Sequence, residues 1–473
     1  MIDCRHKKVL VMGLGLHGGG LAVVQWLLKH GSQVTVTDTK NAKDLKATLD
    51  KIKKLAGSKN IKYTLGTHDK KDFQNQDLII QNPGVPKESP YLKIAKQNNI
   101  PIVNEAVLFF RAYPSPIIGV TGTRGKSTTA SVLESIVKKQ YKNSVLAGNI
   151  ATTAMMSIAD SLPKNSYPVL ELSSWQLEGL DQYRISPPVA VVTNVMVDHL
   201  NRYRSFTAYK NAKYFICKHQ KASDLVVLNA DNIHTKSFAK KVKSRVYYFS
   251  LKKKVKGAYL QGNNIYFFDG QKNSLVMNTA KIKILGEHNL ANILAAICVA
   301  KNLGIANPKI ASAVNNFRGI EYRMQLIRQL AGLKIYNDST STTPDAAIAA
   351  INALGNEKIV LIAGGVDKVL DFKILAKNIK KQVSEVILLK GSASHKILCE
   401  LNKINYPQKQ IHSNINSLTK AWQLAFSQAK KNKATAILFS PAGTSFNMFD
   451  NEFDRARQFS KLVQKAHGQK SKI

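Results

Sequence analysis

A glycine-rich segment in the first third of the chain has the composition of a phosphate-binding loop. In the run GVTGTRGKSTT, which follows a short apolar stretch, Gly122 and Gly125 would let the backbone wrap around an anion. Lys126 would then reach the outer phosphates of a nucleotide, and a hydroxyl group of Ser127 or Thr128 would bind Mg²⁺. The spacing of the glycines differs from that of the common GxxxxGKS/T loop, so an ordinary P-loop NTPase is a poor match.

A second glycine cluster lies near the N-terminus. Gly13, Gly15 and Gly18 in GLGLHG follow a predicted strand and precede a predicted helix, so the helix N-terminus could receive a phosphate or pyrophosphate. Asp38 ends the next strand about twenty residues later, where dinucleotide-binding folds place a ribose-binding acid. By itself this pattern indicates a dinucleotide oxidoreductase or, alternatively, a purely structural tight turn.

One acidic residue interrupts an apolar strand. Glu171 lies in VLELSS, among residues that a sheet would bury. A buried carboxylate is costly unless a cation or a hydrogen-bonding partner satisfies it. Glu171 is therefore a candidate Mg²⁺ ligand, and a structural ion pair is the alternative.

These candidate residues must be positioned by a series of α/β units. Short apolar runs such as KKVLVMG, QVTVTD, VAVVTNV and KIVLIAGG alternate with helical stretches, which predicts parallel sheets covered by helices. The proline-bearing AYPSPIIGV marks one boundary, and a further α/β run begins near Arg323. We predict a Rossmann-like N-terminal domain (1–113), a P-loop central ATPase domain with a mainly parallel sheet (114–320) and a Rossmann-like C-terminal domain (321–473).

Composition bounds the class of protein. The 473 residues are 44% hydrophobic and 21% charged, which argues against a disordered or fibrous chain, and no run of about 18 apolar residues predicts a membrane span. The four cysteines lie far apart, which indicates neither a zinc knuckle nor a disulfide framework. We expect a soluble, cytoplasmic protein that does not bind membranes.

The net charge of +39 makes nucleic acid a partner to consider. Nine bases and no acid lie between Asp231 and Asp269, which suggests a basic nucleic-acid-binding NTPase as one alternative. However, the excess is spread as +9, +18 and +12 over the three predicted domains rather than concentrated in one arm. We therefore expect no specific nucleic-acid binding.

Eight separated motifs resemble those of the Mur ligases, in that family's order. They are GTRGKST, LELSSWQLE, DHLNRY, YKNAK, GEHNLAN, YRMQ, NDSTSTT and SPAGTSF. Within the family the resemblance is greatest to the MurD type, which adds D-glutamate to UDP-N-acetylmuramoyl-L-alanine in peptidoglycan precursor synthesis. It implies an ATP-dependent, ADP-producing, amide-forming enzyme that works through an acyl phosphate, with domains for the UDP-sugar, ATP and the amino acid in chain order.

The resemblance assigns residues to ATP and to metal. Lys126, His199 and Lys213 would be catalytic. Two Mg²⁺ ions would be held by Ser127, Glu171, His199 and a carbamylated Lys213, since a cationic amine cannot bind Mg²⁺ whereas a carbamate offers anionic oxygens. The predicted nucleotide-binding residues are Gly122, Thr123, Gly125, Lys126, Ser127, Thr128, Asn292, Arg323 and Asp338.

Substrate contacts are implied at both ends of the chain. The UDP-sugar would meet Leu16, His17, Thr39, Lys40, Gly84, Asn149 and Gln176, which reassigns the N-terminal glycine cluster from a dinucleotide to UDP. A helix cap or a core amide is an alternative role for Gln176. Glutamate carries two carboxylates, which need a cation and several donors when desolvated. These would be supplied around Thr342, Lys368, Ser445 and Phe446 of an enzyme that we expect to be monomeric.

Several positions depart from the MurD pattern. Arg124 stands where asparagine is usual and would either contact phosphate or be exposed. Thr340, Gly443 and Ala456 replace residues that are usual in the C-terminal motifs. Because these changes cluster in the glutamate-binding third, the same ligation with L-glutamate is an alternative. A folylpolyglutamate-synthase-like ligase is a more distant one, against which the glycine-rich N-terminal domain speaks.

Overall fold

The structure is a computed structural model that describes residues 4–15, 18–113, 116–150, 153–199 and 202–465. These residues form three β-sheets flanked by helices. The chain divides into two compact units, Met1–Lys281 with Ala291–Asn315 and Ile282–Leu290 with Asn316–Ile473. The first unit contains the first two sheets, and the second unit contains the third.

The first sheet is five-stranded and parallel. Its elements are β1 (Lys8–Met12), α1 (Gly19–Lys29), β2 (Gln33–Asp38), α2 (Lys46–Ile52), β3 (Lys62–Leu65), β4 (Leu78–Gln81), α3 (Pro90–Gln97), β5 (Ile102–Val103) and α4 (Glu105–Ala112). The strand order β3-β2-β1-β4-β5 reverses its direction of growth between β1 and β4, where a doubly wound sheet opens a binding crevice. The predicted Rossmann-like N-terminal fold is confirmed.

The second sheet is nine-stranded and carries the phosphate loop. Its elements are β6 (Ile118–Thr121), α5 (Lys126–Val137), β7 (Leu146–Gly148), β8 (Val169–Glu171), α6 (Ser174–Gln182), β9 (Val189–Val192), α7 (Phe206–Lys218), β10 (Leu225–Asn229), α8 (Ile233–Lys236), β11 (Arg245–Ser250), β12 (Gly257–Gln261), β13 (Asn264–Phe268) and β14 (Asn273–Asn278). Helices α9 (Glu287–Asn302) and α10 (Asn307–Asn316) follow.

The order of this sheet, β14-β13-β12-β11-β10-β9-β6-β8-β7, places β6 between β9 and β8. Every residue of these three strands is buried, which is why their sequences read as continuous apolar runs. The sheet is parallel except for the antiparallel pairs β12/β13 and β13/β14 at one edge. This confirms the mainly parallel central sheet.

The third sheet is six-stranded, in the order β15-β16-β20-β17-β18-β19. Its elements are β15 (Gln325–Leu330), β16 (Leu333–Asn337), α11 (Pro344–Ala353), β17 (Ile359–Gly364), α12 (Lys373–Gln382), β18 (Val383–Leu389), α13 (Ser392–Lys403), β19 (Ile411–Ile415), α14 (Leu418–Lys431), β20 (Ala436–Phe439) and α15 (Glu452–Lys465). The pair β15/β16 is antiparallel and the other pairs are parallel. The central strands β17 and β20 are buried throughout, and the predicted Rossmann-like C-terminal fold is confirmed.

Short 3₁₀ helices complete the described secondary structure. They lie at Ser58–Asn60, Lys70–Phe73, Met155–Ser157, Ser237–Lys241, Thr279–Lys281 and Gln408–Gln410. Across the part of the chain that is described, no helix has both the length and the apolar composition needed to cross a bilayer.

Candidate active site

The phosphate loop connects the buried strand β6 to helix α5. Gly125 caps this helix in a left-handed conformation with φ of 80°, and a side chain there would collide with Asn292. Gly122 has φ of 150°, and a side chain there would overlap the hydroxyl of Thr193. Both glycines are therefore required by the backbone and by the close approach of their neighbours. The N-terminus of α5, where an anion is favoured, begins directly after them.

Residues at the end of β9 hold this loop in place. Thr193 Oγ1 and Asn194 Nδ2 donate to the carbonyl of Arg124 at 2.6 and 3.1 Å. Asn194 Oδ1 accepts the Arg124 N–H, and the Asn194 carbonyl accepts the Thr123 N–H, both at 2.9 Å. Lys126 Nζ lies across the loop and donates to the Thr123 carbonyl at 3.0 Å. Sequence reasoning missed Thr193 and Asn194, although two polar residues directly after VAVV were a signal.

Glu171 ends strand β8, beside the strand that leads into the phosphate loop. Its side chain is buried, and Oε1 accepts a hydrogen bond from Asn149 Nδ2 at 3.1 Å. Oε2 is also buried and has no hydrogen-bond partner among the described residues. A divalent cation would satisfy this oxygen, so the residues present fit Mg²⁺ at this position. Asn149 lies against the carboxylate of Glu171, and its backbone N–H also donates to the Glu171 carbonyl at 2.8 Å.

Lys213 lies on α7 and is 2% exposed. Its ammonium nitrogen is 3.4 Å from Thr121 Oγ1 and 5.3 Å from the centre of the Tyr209 ring. Burial, followed by the positive charge of Lys126, holds the pKa of Lys213 well below its usual value, against the opposing effect of Glu171. The structure therefore brings Lys126, Glu171 and Lys213 together. It favours a neutral, nucleophilic amine at position 213.

His199 follows β9 with a left-handed φ of 53°. Its backbone N–H donates to Asp198 Oδ1 at 2.8 Å, and its ring lies 5.7 Å from that of Tyr209. Burial lowers the pKa of His199, whereas Asp198 acts in the opposite direction. A neutral imidazole is the form that binds metal. The His199 ring and the Lys213 amine therefore both approach the ring of Tyr209.

The predicted Mg²⁺ ligands are not all carboxylates and imidazoles. Within the described ranges, no group of three His, Cys, Asp or Glu residues is arranged to hold a metal. The predicted set instead needs a hydroxyl from Ser127, in the first turn of α5, and a chemically modified Lys213. Glu171 supplies the free carboxylate oxygen.

Asn292 lies against Gly125 of the phosphate loop, and Asp38 holds the N-terminal glycine loop. Asn292 is buried on α9 and accepts a hydrogen bond from Thr129 Oγ1 of α5 at 3.2 Å. Asp38 Oδ2 accepts the N–H groups of Leu14 and Gly15 at 2.8 and 3.2 Å. Because its carboxylate orders the N-terminal loop from within, Asp38 has a structural role of its own besides any ligand contact.

The predicted UDP-binding residues are only partly described. Thr39 and Lys40 are exposed after β2, and the Lys40 N–H donates to Asp38 Oδ1 at 2.9 Å. Gly84 is exposed, and its N–H donates to Asn82 Oδ1 at 3.0 Å. Leu16 and His17 lie outside the described residues.

Gln176 has a structural role in a helix cap. Ser173 and Gln176 form a reciprocal capping box at the start of α6, in which the Gln176 carboxamide oxygen accepts the Ser173 N–H at 2.9 Å. The side chain is 3% exposed. This is the helix-cap alternative that the sequence left open.

In the second unit, Asp338 follows strand β16 and is buried. Its carboxylate accepts hydrogen bonds from Ser341 Oγ at 2.6 Å, Ser440 Oγ at 2.8 Å and the Met324 N–H at 3.0 Å. Burial raises the pKa of Asp338 to about 6, while these hydrogen bonds and the charge of Arg323 act to lower it. Asp338 therefore joins the loops that carry YRMQ, NDSTSTT and SPAGTSF.

The predicted glutamate-binding residues lie on loops at the carboxyl ends of the third sheet. Lys368 Nζ is 3.4 Å from Thr342 Oγ1, so these two are brought together. Ser445 is 1% exposed, and its hydroxyl has no hydrogen-bond partner among the described residues. Phe446 is 70% exposed, which is unusual for an aromatic side chain. An unpaired buried hydroxyl beside an exposed ring is consistent with a ligand-binding surface.

Arg455 on α15 is a site residue that sequence reasoning missed. Its guanidinium is buried and donates to Ser339 Oγ, to the Ser339 carbonyl and, through two nitrogens, to the Gly443 carbonyl at 2.8 to 3.1 Å. Burial lowers its pKa to about 10. Arg455 thus ties together the two loops that carry Thr342 and Ser445. Its spacing from Phe459 and Val463, which places all three on one buried helix face, was the available signal.

Three family descriptions match successive parts of the chain. The MurD-like N-terminal domain of Mur ligases matches residues 7–104, the Mur ligase middle domain matches 120–300, and the Mur ligase glutamate ligase domain matches 322–443. A solved structure with the same fold is UDP-N-acetylmuramate-alanine ligase from Thermotoga maritima, with a TM-score of 0.62 at 22% identity, covering 98% of this chain and 100% of that one.

Two relatives that match nearly the whole chain share one name. The UDP-N-acetylmuramoylalanine–D-glutamate ligase of Roseiflexus sp. (strain RS-1) is 37% identical, over 97% of this chain and 98% of its own. The enzyme of that name from Koribacter versatilis (strain Ellin345) is 34% identical over the whole of both chains. With this identity along its full length and a phosphate loop, buried carboxylate and buried lysine in one place, the chain belongs to the Mur ligase family of ATP-dependent, amide-forming ligases.

Proposed function

We propose that this protein joins D-glutamate to UDP-N-acetylmuramoyl-L-alanine at the expense of ATP. The observation that carries the proposal is the similarity to ligases named for this reaction, at 34 to 37% identity over at least 97% of the chain. The reaction would belong to peptidoglycan precursor synthesis in the cytoplasm and would be performed by a monomer. Domains at 1–113, 114–320 and 321–473 would bind the UDP-sugar, ATP and glutamate.

The reaction has two steps. An oxygen of the alanyl carboxylate attacks the γ-phosphorus of ATP, and ADP leaves, which gives an acyl phosphate. The amine of glutamate, after losing a proton, attacks the acyl carbon, and inorganic phosphate leaves as the amide forms. Lys126 and the amides of the loop that contains Gly122 and Gly125 would stabilise the charge on the transferring phosphoryl group.

Mg²⁺ would supply charge neutralisation at the phosphates. Ser127 and Glu171 are proposed to hold one ion, supported by the unpartnered Oε2 of Glu171. His199 and a carbamylated Lys213 are proposed to hold a second. A neutral Lys213 amine would add to carbon dioxide and release a proton to form the carbamate, and the depressed pKa of this amine supports that step.

Glutamate is proposed to bind at the loops of the second unit. Lys368 would pair with one carboxylate, and Thr342 and Ser445 would donate hydrogen bonds to the pair of carboxylates. The buried Ser445 hydroxyl supports this, because it has no hydrogen-bond partner among the described residues and a bound carboxylate would supply one. Phe446 would cover the bound amino acid.

Further assignments rest on the resemblance. We propose that the nucleotide also contacts Thr123, Thr128, Asn292, Arg323 and Asp338. We propose that the UDP-sugar contacts Leu16, His17, Thr39, Lys40, Gly84, Asn149 and Gln176.

A substrate panel tests the proposal. Purified protein would be mixed with ATP, Mg²⁺ and UDP-N-acetylmuramoyl-L-alanine, and phosphate release would be followed with D-glutamate, L-glutamate or neither. We expect release only with D-glutamate, and product mass should increase by one glutamyl residue. Release with L-glutamate alone would transfer the assignment to the other enantiomer, and no release with either would refute the ligase proposal.

A further inference from the structure

Two polar side chains hold the backbone of Tyr322, the residue directly before Arg323. Thr340 Oγ1 donates to the Tyr322 carbonyl at 2.9 Å, and the Thr340 N–H donates to the same oxygen at 3.3 Å. Gln325 Oε1 accepts the Tyr322 N–H at 3.0 Å. The loop after β16 and the first residue of β15 therefore fix both polar groups of the Tyr322 backbone.

Tyr322 occupies a turn position that does not suit a tyrosine. The Arg323 N–H donates to the Ile320 carbonyl at 3.2 Å, which closes a turn with Tyr322 as its third residue. Tyr322 has a left-handed φ of 64°, and a positive φ at this position is typical of a type II turn, which favours glycine or asparagine there. Such strain persists only where surrounding contacts enforce it. The bonds from Thr340 and to Gln325 are contacts of that kind.

The residue after Arg323 is held as well. Met324 has a left-handed φ of 45°, and its N–H donates to Asp338 Oδ1 at 3.0 Å. Its side chain packs against the buried core of the third sheet. Arg323 is exposed between these two fixed residues. The position from which the Arg323 side chain extends is thus set on both sides.

Thr340 acts here through its hydroxyl group. It stands where a lysine is usual in the MurD pattern, and its side chain is bonded to the backbone of the neighbouring turn. Residue 340 therefore contributes a hydrogen bond to the segment that carries Arg323, and not a positive charge of its own.

We propose that Thr340 and Gln325 are positioning residues for nucleotide binding: they hold the strained turn that presents Arg323 to ATP. This inference rests on the proposed function, which assigns Arg323 to the nucleotide. Neither residue needs to touch ATP.

Calorimetric titration of the full-length protein with ATP and Mg²⁺ tests the inference without requiring turnover. Thr340→Val removes the hydroxyl donor, and Gln325→Met replaces the carboxamide acceptor by a thioether of similar length. We expect each variant to raise Kd for ATP by about fivefold, because the Arg323 guanidinium is no longer held in place for the phosphates. Thr340→Ser keeps the donor, so its Kd should stay within about twofold of the wild-type value.

An Arg323→Ala background separates positioning from a general structural effect. Arg323→Ala alone should raise Kd for ATP by about tenfold. Adding Thr340→Val should then change Kd by less than about twofold, because the side chain that Thr340 positions is absent. Ser384→Ala is the matched control, since Ser384 Oγ also donates to a backbone carbonyl of the third sheet, that of Ile359, at 2.9 Å. It should leave Kd for ATP unchanged.

The inference is overturned if Thr340→Val or Gln325→Met leaves Kd for ATP at the wild-type value, or if Thr340→Ser is as weak a binder as Thr340→Val. An equal effect of Thr340→Val with and without Arg323 would also overturn it, as would an unchanged Kd in Arg323→Ala. A wild-type protein that binds ATP but forms no product with either glutamate enantiomer would instead refute the proposed reaction and leave the inference standing.

Discussion

Arg124 Nη1 lies 2.6 Å from Asp198 Oδ2, so a side chain of the phosphate loop is joined to the carboxylate that precedes His199. Asp198 also accepts the His199 N–H, which helps to hold that residue in its left-handed conformation. Burial by itself would raise the pKa of Asp198, but the charges of Arg124 and His199 and the hydrogen bonds from both residues together lower it. Arg124 therefore does more than add a positive charge to the phosphate loop. Through Asp198 it also orders His199, a predicted metal ligand.

Replacing Arg124 should weaken nucleotide binding. We expect Arg124→Asn to raise KM for ATP by about tenfold, since the loop loses a charge-assisted bond and Asp198 loses its partner. KM for glutamate should stay unchanged. Lys138→Gln, which removes an ion pair between the C-cap of α5 and Glu134, is the control. Initial rates at varied ATP concentration give KM for ATP in each variant. An unaltered KM for ATP in Arg124→Asn would contradict a role of Arg124 in nucleotide binding.

Removing the amine at position 213 should abolish turnover without unfolding the enzyme. Lys213→Met keeps a similar volume and replaces a buried polar group by an apolar one, which is neutral or stabilising in many proteins. We expect kcat to fall by about a thousandfold or more, because the carbamate ligand cannot form. Thermal unfolding should show a Tm no lower than that of the wild type.

Isotopic labelling supplies a second readout for Lys213. In buffer equilibrated with labelled carbon dioxide, the wild-type enzyme should show a carbamate carbon resonance that Lys213→Met lacks. Lys210→Met, on the same helix and partly exposed, should retain both the resonance and the activity. A fully active Lys213→Met enzyme would remove Lys213 from the mechanism.

The unpaired hydroxyl of Ser445 should contribute to glutamate binding and not to the stability of the fold. Ser445→Ala removes no hydrogen bond seen in the described residues, so Tm should be unchanged or slightly raised. KM for glutamate should rise by about 10- to 100-fold, as expected for loss of a hydrogen bond to a charged ligand. Ser384→Ala should behave in the opposite way, with lower stability and unchanged KM, because Ser384 Oγ donates to the Ile359 carbonyl at 2.9 Å.

The carboxyl of Glu105, a partly buried residue, should make stability depend on pH. Burial raises its pKa from 4.5 to about 7, although hydrogen bonds from the Met156 and Met155 amides oppose this. The folded state therefore holds this proton more tightly than the unfolded state. The resulting stabilisation is complete below the unfolded pKa and is lost as the pH rises through about 7.

Glu105→Gln removes that titration. The difference in free energy of unfolding between Glu105→Gln and the wild type should shift in favour of the variant from pH 5 to pH 8, by no more than about 3 kcal/mol. Denaturant titrations at both pH values measure it, with Glu134→Gln as a control at a partly buried residue. A difference that does not change with pH would show that Glu105 keeps an ordinary pKa.

The sequence by itself determined the strands that end at the site and the family to which the chain belongs. Strands β6, β9, β17 and β20 are buried on both faces, so their unbroken apolar runs are visible without knowing what covers them. The glycines of the phosphate loop were equally visible, because their backbone conformation restricts the residue type locally. These signals depend only on short stretches of chain.

The antiparallel edge of the central sheet was harder to predict. Strands β12 and β13 are joined by the two-residue turn Gly262–Asn263, which is a hairpin signal, but their sequences, GAYLQ and NIYFF, do not alternate cleanly between apolar and polar residues. The same stretch raised the nucleic-acid alternative. Two of its lysines lie over aromatic rings of the sheet, Lys254 over Phe268 at 4.5 Å and Lys256 over Tyr247 at 4.9 Å. Interaction with neighbouring strands, rather than local pattern, sets this structure.

Only the tertiary structure decided which polar groups meet and which are left without a partner. Arg124 is held by Asn194, 70 residues later, and Arg455 binds Ser339 across 116 residues of chain. The free oxygen of Glu171, the unpaired hydroxyl of Ser445 and the depressed pKa of Lys213 are all consequences of burial. Burial and long-range hydrogen bonding depend on how distant segments pack, so residue type and spacing name the candidates while the folded environment sets their charge and their partners.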